Sequence, residues 1–137
     1  MKLLLFAGAS ILTFTLIALG PQAVHAGTAE GPRALEQTVQ YLLDYVARSE
    51  LTFIRNSKRY TSPEAAEHMR AKYQHFKDKI KTADDFIELA ASKSLLSGKL
   101  YLVVTEQGEA IPSGEWLRGV LADYRGQHEA DRLRVRR

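Results

Sequence analysis

Apolar residues recur at helical spacing in three separate stretches of the chain, and each stretch predicts an amphipathic helix with one buried face. The first helix is expected over residues 34–49. The three apolar stripes consist of Leu35, Val39, Leu42, Leu43 and Val46; of Ala66, Met69, Tyr73, Phe76 and Ile80; and of Trp116, Leu117, Val120, Leu121 and Tyr124. A fourth, shorter helix is predicted around Phe86, because Thr82 and Asp85 have the spacing of a capping box.

Two further stretches predict β-hairpins. Residues 51–55 and 58–60 flank Asn56-Ser57, a pair suited to a tight turn because asparagine tolerates positive φ. Residues 100–105 form the most strand-like run of the chain, and 109–111 return after the turn at Gln107-Gly108. The predicted fold class is therefore α+β, with two β-hairpins forming a small sheet and about four helices packed on it.

A serine precedes the predicted helix after each hairpin. Ser62 is expected to cap the second helix, with Pro63 at its first position and Glu64 near its positive end. Ser113 is expected to cap the last helix, after Pro112 ends the strand. Segments 53–66 and 104–117 thus follow the same order of strand, turn, strand, serine and helix. Shared turn and cap chemistry explains this similarity, and an ancestral duplication is the alternative.

The N-terminus has the pattern of a signal peptide. A positive Met1-Lys2 start precedes a mostly apolar run over residues 3–19, and Val24-His25-Ala26 resembles a cleavage site. The apolar run is short beside the roughly 20 residues that a membrane-spanning helix needs. We therefore expect residues 1–26 to be removed, leaving a periplasmic or secreted protein that begins at Gly27 and has no membrane span.

Composition and charge exclude several classes of binding site and partner. The 137 residues include no cysteine, which rules out disulfides, zinc-thiolate sites and a lipid-modified N-terminal cysteine. The formal charge is +3, but the signal segment holds one lysine and residues 125–137 carry five arginines against two acids, so the remainder is near −1. Nucleic acid is therefore not an expected partner. We expect a lead-in at 27–33, one domain at 34–124 and a basic, disordered tail at 125–137.

Five segments, in this order, carry a resemblance to a known family: FIRNSKRY, AAEHMRAK, IKTADDFI, ASKSLLSGKLYLV and IPSGEWL. They resemble an uncharacterised family of small exported bacterial proteins with a single domain, over roughly residues 33–124. The resemblance implies export and a domain extent, but no activity. Ser57 stands where the family pattern commonly has glycine, and Leu100 where it often has proline, so the sequence leaves open the turn type and the start of the following strand.

The loop at residues 92–99 holds the chemistry that the sequence singles out. Its hydroxyls, ammonium groups and flexible Gly98 suit a carboxylate or phosphate, and Arg55 is expected to approach it across the sheet. The predicted anion-binding residues are Arg55, Lys93, Ser94, Ser97 and Lys99. The glycine spacing of a P-loop is missing. A loop that only satisfies backbone groups and a Ser/Lys nucleophilic pair are the alternatives.

No other group predicts a site. His68 and His75 lie about two helical turns apart, too far to share a metal without further ligands, and Trp116 and Tyr124 are expected in the core. We expect no metal, cofactor or catalytic residue. Three functions stay open: a non-enzymatic binding or accessory module whose partner is a small anion or an envelope protein, a Ser/Lys hydrolase, and a structural envelope protein with a basic tail.

Overall fold

The computed structural model describes residues 31–136, so the predicted signal peptide, its cleavage site and most of the lead-in lie outside the described residues. The α-helices are α1 (Pro32–Arg48), α2 (Ser62–His75), α3 (Ala83–Phe86) and α4 (Ser113–Val135), and a π-helical turn, Ile87–Ala91, continues α3. The strands are β1 (Thr52–Arg55), β2 (Lys58–Tyr60), β3 (Leu102–Val104) and β4 (Ala110–Pro112).

The four strands form one antiparallel sheet with the order β2-β1-β3-β4. Each predicted hairpin is present, and the two hairpins join because β1 pairs with β3, with Phe53 opposite Val103. In the first hairpin Arg55 pairs with Lys58, which leaves Asn56 and Ser57 as a two-residue turn in which both residues have positive φ. This α+β architecture confirms the predicted fold class.

The core lies where α1, α2, α3 and α4 converge on the central strands. The predicted stripe of α1 is fully buried, and Phe53 and Val103 contribute the inward side chains of β1 and β3. In α4, Leu117, Val120 and Leu121 are buried as predicted. Trp116 and Tyr124 are only partly buried and pack against the edge of the core, so the prediction that they are core residues holds only in part.

The two predicted serine caps are wrong, and the reason is the same in both. Ser62 and Ser113 are the first helical residues rather than the caps, and both are buried. Ser62 Oγ donates to the carbonyl of Leu51 at 2.9 Å, and Ser113 Oγ donates to the carbonyl of Ala91. Each hydroxyl therefore satisfies a carbonyl of an earlier segment rather than an amide of its own helix.

The cap of α2 is Thr61, one residue earlier than predicted. Its backbone amide donates to Glu64 Oε2 at 2.8 Å, and its hydroxyl accepts from the Glu64 amide, which completes a capping box. The Thr61 hydroxyl also donates to Glu64 Oε2 at 2.9 Å. The bonds from the Thr61 amide and hydroxyl to this carboxylate lower the pKa of Glu64. The capping box predicted from Thr82 and Asp85 at the start of α3 is present.

The second half of the predicted α2 stripe differs from the structure. The helix ends at His75, and Ile80 is buried in the turn beyond it. Lys72, expected on a solvated face, is 8% exposed.

Helix α4 packs closely against Ser92 at Gly114, where a Cβ would collide with the Ser92 hydroxyl. That hydroxyl is buried and donates to the carbonyl of Ile87 at 2.8 Å.

Helix α4 is longer than the sequence predicts. It continues past Tyr124 to Val135, where a disordered tail was expected. The extension is exposed and has no buried face. It is still helical, because the packed first turns of α4 nucleate the helix and sparse apolar residues do not prevent it from continuing. Among residues 31–136, no helix is long and apolar enough to cross a membrane.

Candidate functional site

An open cavity of about 430 Å³ lies between the β1–β2 hairpin, α2 and the loop that follows the π-helical turn. Its lining consists of Arg55, Asn56, Lys58, Tyr60, His68, Lys72, Ser94, Leu95, Leu96 and Tyr101. Three of these side chains are cationic. No aspartate or glutamate is among the described residues that line it. Positive charge therefore gathers in the lining of this cavity without a lining carboxylate, and the acid Glu64 lines a small adjoining pocket with Arg55 and His68.

Two larger open grooves have mixed charge. The groove of about 680 Å³ beside Trp116 includes Asp44, Arg48 and Glu106. The groove of about 690 Å³ beside the start of α2 includes Glu50 and Arg59 as well as Arg48 and Glu64. Acids and bases occur together in both grooves, so neither lining is as one-sided in charge as that of the smaller cavity.

Arg55 is positioned by the hairpin. It is the last residue of β1, and the tight turn brings Tyr60 of β2 beside it. The guanidinium carbon lies 4.4 Å from the centre of the Tyr60 ring. This cation–π contact holds the side chain in place. Among residues 31–136, the Arg55 guanidinium forms no salt bridge with a carboxylate.

Lys72 is the buried cation of the site. Its ammonium donates to the backbone carbonyl of Lys93 at 2.9 Å and lies 5.1 Å from the centre of the Tyr101 ring. Within the described part of the chain it forms no salt bridge. Burial, and then the charges of Arg55 and Lys93, lower the pKa of Lys72. A buried ammonium with no acidic partner costs stability, because desolvation is not offset by an opposite charge.

His68 and Tyr101 form a neutral pair at the inner wall. His68 Nε2 lies 3.2 Å from the Tyr101 hydroxyl, and the two rings meet edge to face. Burial, followed by the charges of Arg55 and Lys72, lowers the pKa of His68 to about 4. Burial raises the pKa of Tyr101, and Arg55 partly offsets that rise. At neutral pH the site thus presents a neutral imidazole, a phenol hydroxyl and cations.

The loop at residues 92–99 closes on itself and contacts the hairpin tip. The Ser94 amide donates to the carbonyl of Lys99, and the Gly98 amide donates to the carbonyl of Ser94, both at 2.9 Å. Gly98 has a φ of 68°, which favours glycine. Ser97 Oγ donates to Asn56 Oδ1 at 2.7 Å and so joins the loop to the turn of the first hairpin.

The structure brings two of the five predicted site residues to the cavity. Arg55 and Ser94 line it. Lys93 contributes its carbonyl to Lys72, but its ammonium turns away to Glu88 at 3.4 Å. Ser97 contacts Asn56 instead of the cavity, and Lys99 is exposed outside the lining. Arg55 and Ser94 therefore share one lining, and the anion-binding role of the five residues stays a prediction.

The prediction missed Lys58, Tyr60, His68, Lys72 and Tyr101 as residues of the site. One signal for Lys72 was present in the sequence, since it follows Met69 by three residues and precedes Phe76 by four, on the apolar face of α2. A lysine at such a position either extends its ammonium to solvent or finds a buried partner. Tyr101 and Lys58 carried no comparable signal, because strand pairing alone decides which side they face.

The described residues form neither a hydrogen-bonded Ser/Lys pair nor a shared metal site at the two histidines. Ser94 Oγ accepts from the Ser97 amide at 3.3 Å, and within residues 31–136 no hydrogen bond joins a lysine ammonium to the hydroxyl of Ser94 or Ser97. His75 contacts the Phe76 ring, whereas His68 contacts Tyr101. The described residues contain no cluster of three or more His, Cys, Asp or Glu side chains suited to a metal.

Comparison with known proteins places the chain in a family. A model described as "Family of unknown function (DUF5329)" matches residues 33–125. The chain belongs to this family. The matched range contains every residue that lines the cavity. The resemblance expected from the five sequence segments, to an uncharacterised family, is thereby confirmed.

A curated relative is similarly uncharacterised. The chain is 36% identical over 67 residues to the "Uncharacterized protein YfeK" of Salmonella typhimurium strain LT2. The match covers 48% of this chain and 56% of the relative, so the chain spans little more than half of that protein's length. No solved structure matches the chain.

Proposed function

We propose that this DUF5329 protein is an exported, non-enzymatic binding module whose cavity beside α2 takes a small carboxylate or phosphate. A single observation carries the proposal: Arg55, Lys58 and Lys72 line one cavity without a lining carboxylate. An anion that enters would receive charge-assisted hydrogen bonds from guanidinium and ammonium groups, which are stronger than neutral ones. When His68 Nε2 donates to the Tyr101 oxygen, the Tyr101 hydroxyl adds a donor that needs no charge.

The state of Lys72 supports the same proposal. Its ammonium is buried, it donates a hydrogen bond to the Lys93 carbonyl, and neighbouring cations oppose its charge. Such an arrangement lowers the stability of the free protein, and an anion bound between Arg55 and Lys72 offsets the repulsion between these two cations. Part of the binding free energy therefore comes from offsetting the charge repulsion that is present in the ligand-free protein.

Thermal unfolding with added anions tests the proposal. Phosphate, sulfate, acetate and citrate are added at millimolar concentration and constant ionic strength. We expect at least one of them to raise the unfolding midpoint of the parent, since a ligand at ten times its Kd adds about 1.4 kcal/mol to the free energy of unfolding. Arg55→Ala should fold with nearly the same midpoint and lose the response to anions.

Two further variants make this test specific. Arg59→Ala removes the same charge from the same hairpin, but Arg59 does not line the cavity, so its response should match the parent's. Lys72→Met keeps much of the volume and removes the buried charge, so without anion it should be as stable as the parent or more so, and it should not respond. An equal loss in Arg59→Ala would indicate general charge screening. A parent that responds to none of the four anions rejects the proposal.

A further inference from the structure

Two leucines stand at the mouth of the cationic cavity. Leu96 is fully exposed and Leu95 is 57% exposed, yet both belong to the same lining as Arg55 and Lys72. Isolated exposed leucines are common on protein surfaces. Adjacent leucines at the entrance of a charged cavity are a different case, because a ligand held by the cations lies beside them.

The loop holds the leucines in this place. The bonds from Ser94 to Lys99 and from Gly98 to Ser94 close the loop around them, and the bond from Ser97 to Asn56 joins it to the hairpin. Within this loop, the Ser94 side chain is buried. The exposed leucines therefore project from a closed and anchored loop rather than from an unattached segment.

The inner and outer parts of the cavity differ in chemistry. Buried and half-buried groups, namely Arg55, His68, Lys72 and Tyr101, form the inner part, and the exposed Lys58, Leu95 and Leu96 form the outer part. A small inorganic anion would use only the inner part. A molecule with an acidic headgroup and an apolar chain would use both, with the headgroup between Arg55 and Lys72 and the chain along the leucines.

Resting on the anion-binding function proposed above, we infer that the ligand is an anionic amphiphile, an acidic headgroup that carries an alkyl chain. The contact of the chain with half-buried and exposed leucine surface adds affinity in proportion to the apolar area that it covers. The cations of the cavity require a negatively charged headgroup, and the length of the alkyl chain sets how tightly the molecule binds.

Isothermal titration with acetate, butanoate, hexanoate and octanoate tests this inference. Full burial of one methylene gives roughly a fourfold gain in affinity, and contact on one side gives less, so we expect octanoate to bind about tenfold more tightly than butanoate. Octyltrimethylammonium, which has the chain but the opposite charge, should not bind. If the ammonium compound binds as tightly as octanoate, the acidic headgroup is unnecessary and the inference is wrong.

A loop variant separates the inference from the proposed function. Leu95→Ser with Leu96→Ser should lower octanoate binding to nearly the level of acetate, whose binding rests on the inner cations and should change least. The matched control is Leu133→Ser, because Leu133 is 56% exposed on α4 and lies outside the cavity lining. Equal binding of all four carboxylates to the parent overturns the inference and leaves anion binding standing. If no carboxylate or phosphate binds, both proposals fail.

A separate experiment distinguishes a membrane lipid from a soluble amphiphile as the source of the ligand. Sedimentation with vesicles of phosphatidylglycerol and phosphatidylcholine shows whether a lipid in a bilayer serves as the ligand, with pure phosphatidylcholine as the control. Binding that needs phosphatidylglycerol and is lost in the double-leucine variant supports a lipid headgroup. Octanoate binding without vesicle binding supports a soluble amphiphile. Vesicle binding that survives in both the double-leucine variant and Arg55→Ala contradicts the inference, because it would come from another surface.

Discussion

Among single residues, His68 gives the clearest consequence of the electrostatics of the cavity. Its pKa of about 4 lies below the ordinary value of 6.5, so the folded protein holds the imidazole neutral where the unfolded chain would begin to bind a proton. Between these values the unfolded state binds more protons, and stability therefore falls as the pH drops from about 6.5 to about 4.

We predict that His68→Gln reduces this loss, because glutamine stays neutral and can still bond to the Tyr101 hydroxyl. On acidification from about pH 7 to 4.5, the variant should lose roughly 1 to 2 kcal/mol less free energy of unfolding than the parent, a figure discounted for partial exposure. Denaturant unfolding at the two pH values measures the difference. His75→Gln on the same helix is the control, and a parent-like loss in His68→Gln would contradict the assignment.

Lys72 shows why single residues of the site escaped the sequence. Its position on the apolar face of α2 follows from helical spacing, but its hydrogen bond to Lys93 and its contact with Tyr101 join segments distant in the chain. Lysine also snorkels readily, so a lysine in an apolar stripe usually predicts an exposed ammonium. Packing of the loop over α2 is what buries this one.

Among the elements, the first hairpin was predicted closely. The two-residue turn, the pairing of Arg55 with Lys58 and the return strand follow from local sequence, because a tight turn fixes the register of its strands. The structure also settles the turn that the unusual Ser57 left open, since Asn56 has a φ of 49° and Ser57 a φ of 67°. A serine in this conformation carries a cost that glycine does not have.

Ser57→Gly should therefore stabilise the protein by roughly 0.4 to 1 kcal/mol. The thermal unfolding midpoint measures the effect, and Ser57→Ala is the matched control, which should give no stabilisation because alanine gains nothing from positive φ. A lower midpoint in the glycine variant would mean that the serine side chain or another turn geometry contributes more than the relief of strain.

Helix ends were predicted less well than hairpins. Ser62 and Ser113 were assigned as caps because serine is common there, yet their hydroxyls bond to Leu51 and Ala91. The sequence shows which residues are able to cap, but a buried carbonyl elsewhere in the fold competes for the same hydroxyl. The length of α4 shows the opposite error, because the apolar stripe ends at Tyr124 while the backbone helix continues to Val135.

For the whole molecule, the N-terminal pattern predicts export, and this prediction has its own measurement. The intact mass of protein from the periplasmic fraction should correspond to a chain that begins at Gly27. Ala26→Leu replaces the small residue before the expected cleavage point, so that variant should accumulate as precursor. A dominant parent species that keeps Met1 in the membrane would contradict the prediction.

The α+β fold class and the order of its elements followed from the sequence alone, because each rests on interactions between residues near one another in the chain. Stripes at helical spacing, a capping box and a two-residue turn are local features, and they were sufficient to predict four helices and two hairpins. The pairing of β1 with β3, which makes one sheet from the two hairpins, lies between segments far apart in the sequence.

Only the tertiary structure decided the composition of the cavity. Arg55, His68, Lys72, Ser94 and Tyr101 come from a hairpin, a helix, a loop and a segment that leads into a strand, and no spacing rule relates them. The β1–β3 pairing and the packing of α2 beneath the loop bring them together. Charges on separate segments become one site only through such long-range contacts, which local propensities do not encode.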